Sequence, residues 1–287
     1  MILGALNCGF GELIGQADLA LIRSLGFRAV RQDAVKRDTP NPAAAPALVS
    51  EIAAAGLMGN FVIPMWDNGL CQETAHAVAA RAVELGLVNG EVALEAGNEE
   101  DLSGEYKAWT NNPRGWAALV RDVLTIAGQH HPGIPVVSGG ISSVSKDALR
   151  WLEKSGVAEL PVIIGYHQYR STPPDQPLAG YGSRAHEFAI LQRVTAGRRL
   201  WCTESGWHDG PRESGHWPCK KRWRYSPSEV AQFLAEELRL NEDYGAEVFT
   251  VYQLADGPDP DYDQDCFGIR DYAGNLKPSA HVVARYA

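Results

Sequence analysis

The stretch Arg199-Leu200-Trp201-Cys202-Thr203-Glu204-Ser205-Gly206-Trp207 reads as a short apolar strand that ends on one carboxylate and breaks at Ser-Gly. A parallel strand hands an acid to a cleft in this way. Earlier in the chain Glu91-Val92-Ala93-Leu94-Glu95-Ala96-Gly97 is a second such run, leading into Asn98-Glu99 and a polar loop. Two strand ends therefore carry two glutamates.

Working outward from these runs, the same unit recurs along the chain. Strand-like runs at residues 2–7, 27–31, 60–65, 91–98, 135–138, 162–169, 199–203 and 247–254 alternate with amphipathic stretches that open near residues 16, 42, 73, 113, 146, 185, 226 and 277. Gly26, Gly56 and Gly86 stand just past the first three of these helical stretches, where a helix C-terminus needs a residue free to turn left-handed. Ser226-Pro227-Ser228-Glu229 supplies a cap, a proline at the first helical position and an acid in the first turn. Strands that alternate with helices specify a parallel sheet with right-handed crossovers, and eight units in 287 residues fit a single (β/α)8 TIM barrel spanning residues 1–287. All strand C-termini of such a barrel open on one face, so Glu99 and Glu204 are expected to share a mouth.

Composition narrows the partners. A net charge of −9 leaves no basic face for nucleic acid or an anionic membrane, and a neutral substrate suits it better. No run is apolar for long enough to span a bilayer, and the opening Met1-Ile2-Leu3-Gly4-Ala5 lacks the basic start and apolar centre of a signal peptide. The expectation is a soluble protein, cytoplasmic or secreted with its leader removed. Cys8, Cys71, Cys202, Cys219 and Cys266 show no metal-ligand spacing, and only Cys219 with Cys266 could staple two late loops. The loop at 256–265 alternates carboxylates without the closing glutamate of a calcium loop, and no metal or other cofactor is expected. A metal-dependent barrel hydrolase would need His and Asp at several strand ends, and only His167 is so placed.

The pair Glu95-Ala96-Gly97-Asn98-Glu99 and Thr203-Glu204-Ser205-Gly206-Trp207 resembles the strand-four and strand-seven motifs of the clan A glycoside hydrolases. Arg31, His167-x-Tyr169 and the segment Phe267-Gly268-Ile269 to Leu276-Lys277-Pro278 are similar to features of cellulase-like families 5 and 39. Gly97-Asn98-Glu99 and Glu204-Ser205-Gly206-Trp207 also look like family 17, the β-1,3-glucanase group. The resemblance implies a retaining β-glycoside hydrolase in which Glu99 is the acid/base and Glu204 the nucleophile. It further implies that Asn98 bonds the sugar 2-hydroxyl, that Arg31 and Tyr169 bond Glu204, and that His167 sits near Glu99 or the substrate. Retention calls for carboxyl groups about 5 to 5.5 Å apart. Two positions depart from the pattern: Glu100 follows the acid/base where the clan has proline, and Tyr252 or Gln253 replaces the strand-eight tryptophan.

Charge and aromatic content add further expectations. Glu95, Glu100 and Asp101 surround Glu99 in sequence and are expected to favour its protonated form, while Arg31 and Tyr169 keep Glu204 ionised. Trp66, Trp109 and Trp207 fall in mouth-side loops, where flat rings stack on sugars. The basic, aromatic segment 216–224 suits an anionic polysaccharide or, alternatively, pairs with the acidic 256–265 loop. Two rival readings stay open: β-1,3-glucanase-like specificity, and a barrel that binds carbohydrate without cleaving it.

Overall fold

The computed structural model describes residues 1–6, 14–102, 109–170, 172–177, 182–209, 225–258 and 266–286. In chain order these form β1 (Ile2–Leu6), α1 (Gln16–Ser24), β2 (Ala29–Asp33), α2 (Ala45–Ala54), β3 (Met58–Ile63), α3 (Asn68–Glu84), β4 (Val92–Ala96) and α4 (Pro113–His130). The second half continues with β5 (Val136–Ile141), α5 (Lys146–Ser155), β6 (Ile163–His167), α6 (Arg184–Val194), β7 (Leu200–Ser205), α7 (Pro227–Asp243), β8 (Ala246–Val251) and α8 (Pro278–Tyr286). All strands pair in parallel with their sequence neighbours, and β8 returns to β1 to close the barrel. This is the expected (β/α)8 architecture.

Local chemistry sets the helix ends. Asp67, Asn112, Ser145 and Ser183 each accept a bond from a first-turn amide, and Ser226 with Glu229 forms a reciprocal capping box. The Asp67 cap starts α3 at Asn68, five residues before the sequence expectation, because a side-chain acceptor rather than hydrophobic period decides where the first turn closes. At the far end of α5, Gly156 takes φ 73°, which costs an L-residue with a Cβ far more.

Between the barrel and its helices lies one large apolar core. Inside the barrel a second, smaller cluster of Ala93, Val137, Ile163, Trp201 and Val248, with Met58 against it, forms the lower layer. Strand side chains alternate with period two, so the next inward positions are Asn60, Glu95, Thr203 and Thr250. A polar layer therefore rests on an apolar plug.

A register shift between Leu200 and Trp201 and two irregularities nearer the mouth break this alternation. Val137 pairs with Ile163 and Gly140 with Gly165, which gives β5 one residue more than β6. On β7, Cys202 and Ser205 pair with Phe249 and Val251, three steps against two, and His167 stands beside Glu204. Regular alternation from the inward Trp201 would turn Glu204 toward the helices. The extra residue turns it to the barrel axis instead. Strand β7 thus runs through Glu204 to Ser205 rather than ending at Thr203.

Behind β6 a buried polar network ties α6 and α7 to the sheet. Arg184 bonds Glu237 at 2.8 Å and Glu187 at 2.9 Å, and Arg170 lies 3.2 Å from Glu187. Asn241 donates to Gln168 and accepts from Tyr166. Gln168 follows His167, so this network anchors the end of the strand that feeds the mouth. Removing one member of a buried ion-pair set strands its partners, so Arg184→Met is expected to lower unfolding free energy by about 3 to 5 kcal/mol, as measured by urea denaturation.

Candidate active site

The site is built around one guanidinium. Arg31, inward on β2 and 3 % exposed, donates through Nε and Nη2 to both oxygens of Glu95, at 2.6 and 2.9 Å. Its Nη1 donates to Glu204 Oε1 at 2.5 Å and its Nη2 to Asn98 Oδ1 at 2.7 Å. A planar fork held on its Nε side by Glu95 aims its remaining N–H groups in fixed directions. Glu95 is itself held by Asn60 Nδ2 at 2.6 Å and the Gly140 amide at 3.1 Å. Asn98 accepts through Oδ1, so its amide nitrogen is its side-chain donor.

Glu204 accepts on both oxygens, from Arg31 and from the Tyr169 hydroxyl at 2.6 Å. Burial alone would raise its pKa, but His167, Arg31 and Tyr169 outweigh burial and hold it below the usual carboxylate range. Tyr169 is pushed well above the ordinary phenol value, first by burial and then by the Glu204 charge. It stays a neutral donor.

Glu99 reaches the site from beyond β4. Its backbone adopts φ 53°, fixed by its amide donating to Gly140 O at 2.8 Å, and Asn98 bridges to Gly140 in parallel. Its side chain is 22 % exposed against 9 % for Glu204, so Glu99 is the acid that water reaches more readily. Between them stands His167, fully buried, with Nδ1 2.9 Å from Glu99 Oε1 and 3.6 Å from Glu204 Oε2. Burial disfavours the imidazolium, but the charge of Glu204 and the hydrogen bond and charge of Glu99 prevail, and its pKa is raised. One donor atom from each of Glu99, His167 and Glu204 lies within 4.8 Å of the other two. Such a trio could approach a metal ion, yet both Glu204 oxygens already accept strong donors and face the Arg31 charge, which disfavours a cation there.

Two of the acid neighbours of Glu99 have partners of their own. Glu95 is neutralised by Arg31, and Asp101 is tied to the amide and hydroxyl of Ser142 at 2.8 and 2.5 Å. Asp101 still feels the Glu99 charge, and the hydrogen-bond partner of Glu99 is His167. Two residues with structural weight in the site were not singled out from sequence: Glu95 and Gly140. A Cβ on Gly140 would lie 2.1 Å from His167 Nε2, so only glycine leaves room for the ring. Period-two counting from Ala93 would have placed Glu95 inward, and the Gly139-Gly140 doublet marks the bulge.

The aromatic expectations divide. Tyr252 packs edge-on to Tyr169, with centroids 5.7 Å apart, and to Phe267 at 5.4 Å, forming a wall beside Glu204. Its peptide bond to Gln253 is cis. Trp66 is 37 % exposed and lines a cleft that reaches Asn98. Trp207 is a correction: only 3 % exposed and set against Phe233, it offers no open face to a sugar. Trp109 likewise packs inward, its Nε1 donating to Met65 O at 2.7 Å. Cys219, the segment 216–224 and residues 259–265 lie outside the described residues. Asp256, at the root of the acidic loop, pairs with Lys277, which also binds Asp209.

No protein-family model and no curated protein matches the chain. Solved structures do. A GH39 β-xylosidase from Caulobacter crescentus superposes with TM-score 0.67 at 18 % identity, over 99 % of this chain and 70 % of that one. The GH39 enzyme of Xanthomonas axonopodis pv. citri gives 0.68 at 15 % identity, over 99 % and 65 %. A GH2 β-galacturonidase from Eisenbergiella tayi gives 0.64 at 15 % identity, over 98 % of this chain and 50 % of that chain. The chain thus spans half to about two thirds of the length of these structures. At such identities the likeness is one of fold.

Folding favours the protonated form of His167. Its contribution to stability is complete below the unfolded value of 6.5 and is lost as pH rises through the folded value, whereas that of Glu204 is present above 4.5 and lost as pH falls through its lowered value. The His167 ring is expected to titrate above 6.5 by NMR, and lower in Glu99→Gln, where burial remains and one favourable partner is gone.

Proposed function

We propose that the barrel is a retaining β-glycoside hydrolase acting on oligo- or polysaccharide, with Glu99 as acid/base and Glu204 as nucleophile and with no metal or organic cofactor. The observation that carries this reading is the approach of one Glu99 oxygen to within 4.8 Å of one Glu204 oxygen at the barrel mouth. That closeness agrees with the roughly 5 to 5.5 Å of retaining pairs and leaves no room for the water that an inverting pair activates. The superposed GH39 β-xylosidase and enzymes such as the exo-β-1,4-mannosidase from Opitutaceae bacterium strain TAV5 act on β-linked sugars, which supports the same substrate class.

Each residue then has a task. Protonated Glu99 gives its proton to the leaving oxygen while a Glu204 oxygen bonds the anomeric carbon and the glycosidic bond breaks. Glu99, now ionised, takes a proton from water, whose oxygen displaces Glu204 from that carbon. Arg31 and Tyr169 keep the nucleophile charged and aimed. The His167 imidazolium steadies Glu99 once it is ionised, and Asn98 donates to the sugar 2-hydroxyl. Tyr252 closes the wall beside the nucleophile.

The test is hydrolysis of β-1,3- and β-1,4-linked glucans, xylan, mannan and acidic exopolysaccharides by wild type beside two variants. Glu204→Gln is expected to abolish turnover and Glu99→Gln to lower kcat by about 10²- to 10⁴-fold, with the β-anomer released first by NMR. Binding of a glycan without turnover by wild type would favour a non-hydrolytic barrel, and activity surviving Glu204→Gln would refute the assignment.

A further inference from the structure

Glu99 stands in the left-handed region at φ 53°, which a residue with a Cβ keeps only where its surroundings over-determine it. The run Gly97-Asn98-Glu99-Glu100-Asp101-Leu102 holds no proline to fix a turn covalently. Contacts from outside the run fix it instead. The Glu99 amide donates to Gly140 O at 2.8 Å, where Asn98 also bridges to Gly140. Two residues further along both segments, the Asp101 carboxylate accepts the Ser142 amide at 2.8 Å on one oxygen and the Ser142 hydroxyl at 2.5 Å on the other. The Leu102 amide closes the turn onto Glu99 O at 3.0 Å, and the Thr110 hydroxyl donates to Leu102 O. Of these contacts the one at Asp101 is charge-assisted and two-pronged, which makes it the strongest. The two proposed reactive acids are thus held differently. Glu204 takes its aim from Arg31 and Tyr169, one on each oxygen, whereas Glu99 meets His167 on one oxygen and stands on a turn.

From this geometry we infer that Asp101 is the positioning residue of Glu99: its clasp on Ser142 holds the 98–102 turn against the end of β5 and so keeps the Glu99 carboxyl on His167 and at the leaving-group oxygen. This rests on the glycoside hydrolase reading. Asp101 acts through the main chain and its role is geometric. An asparagine in its place makes the same two bonds without the charge, its Oδ1 accepting the Ser142 amide and its Nδ2 donating to the Ser142 hydroxyl. The acid step depends on the clasp most. A departing sugar needs a proton delivered to its oxygen, while a dinitrophenolate leaves without one. Loosening the turn therefore slows the first reaction and spares the second.

The experiment compares kcat/KM, which reports formation of the glycosyl-enzyme, on two β-glycosides of a sugar that the wild type cleaves, one with a sugar and one with a dinitrophenyl leaving group. Asp101→Ala is expected to lose about 10- to 100-fold on the first and less than about threefold on the second, the scale that a misplacement of roughly 1 Å brings. Asp101→Asn should rescue the loss to within about threefold of wild type, since both bonds persist. Ser142→Ala keeps the amide and removes the hydroxyl, so it is expected to show the same pattern with a smaller loss, and it serves where Asp101→Ala fails to fold. Exchange of the Glu99 amide, followed by NMR, should quicken by about tenfold or more in Asp101→Ala as the turn opens locally. Equal losses on both glycosides, an Asp101→Asn variant as impaired as Asp101→Ala, or unchanged exchange at Glu99 would overturn the assignment. Silence of wild type on every glycoside, or turnover surviving Glu204→Gln, would instead strike the glycoside hydrolase reading itself, and the exchange result would then decide the clasp alone.

Discussion

The ion pair between Arg31 and Glu95 is the constraint on which the rest of the mouth depends. A buried guanidinium without a counter-charge is expensive, and a buried carboxylate equally so. Pairing the two on adjacent layers of β2 and β4, with Asn60 and the Gly140 amide filling the remaining Glu95 acceptor positions, makes both tolerable. It also fixes the plane of the fork. Arg31 then has one direction left for Glu204 and one for Asn98, and it serves both. Arg31 thereby holds Glu204 directly and Asn98, the chain neighbour of Glu99.

Charge balance follows from this geometry. Arg31 divides its one positive charge between two carboxylates, so a second cation is needed beside Glu204 and Glu99. His167 supplies it. Its imidazolium is favoured by both acids despite complete burial, and it couples them through one nitrogen.

The barrel accommodates this centre through irregularity. A regular period-two strand would send Glu204 outward and place a Cβ where the His167 ring lies. The bulge on β7 corrects the first problem, and the absence of a side chain at Gly140 the second. Below them the apolar plug of Ala93, Val137, Ile163, Trp201 and Val248 keeps the polar layer from sinking into the barrel. The network of Arg184, Glu187, Glu237 and Asn241 behind β6 fixes the strand that carries His167.

Periodicity along the chain determined the eight strand-helix units, the closed barrel and the arrival of Glu99 and Glu204 at one mouth, because helix and strand periods are local and strand order follows from chain order. The resemblance of the strand-end motifs to clan A glycoside hydrolases singled out Arg31, Asn98, His167 and Tyr169. Only the tertiary structure decided which way Glu204 turns, since a bulge is a mismatch of register between two strands and neither records it alone. It likewise decided that Glu95 is the partner of Arg31, that Asp101 bonds Ser142 while feeling the Glu99 charge, and that Trp207 is buried against Phe233 while Trp66 is open. Those outcomes depend on side chains far apart in sequence meeting in a low-dielectric interior, where each charge takes the partner nearest in space.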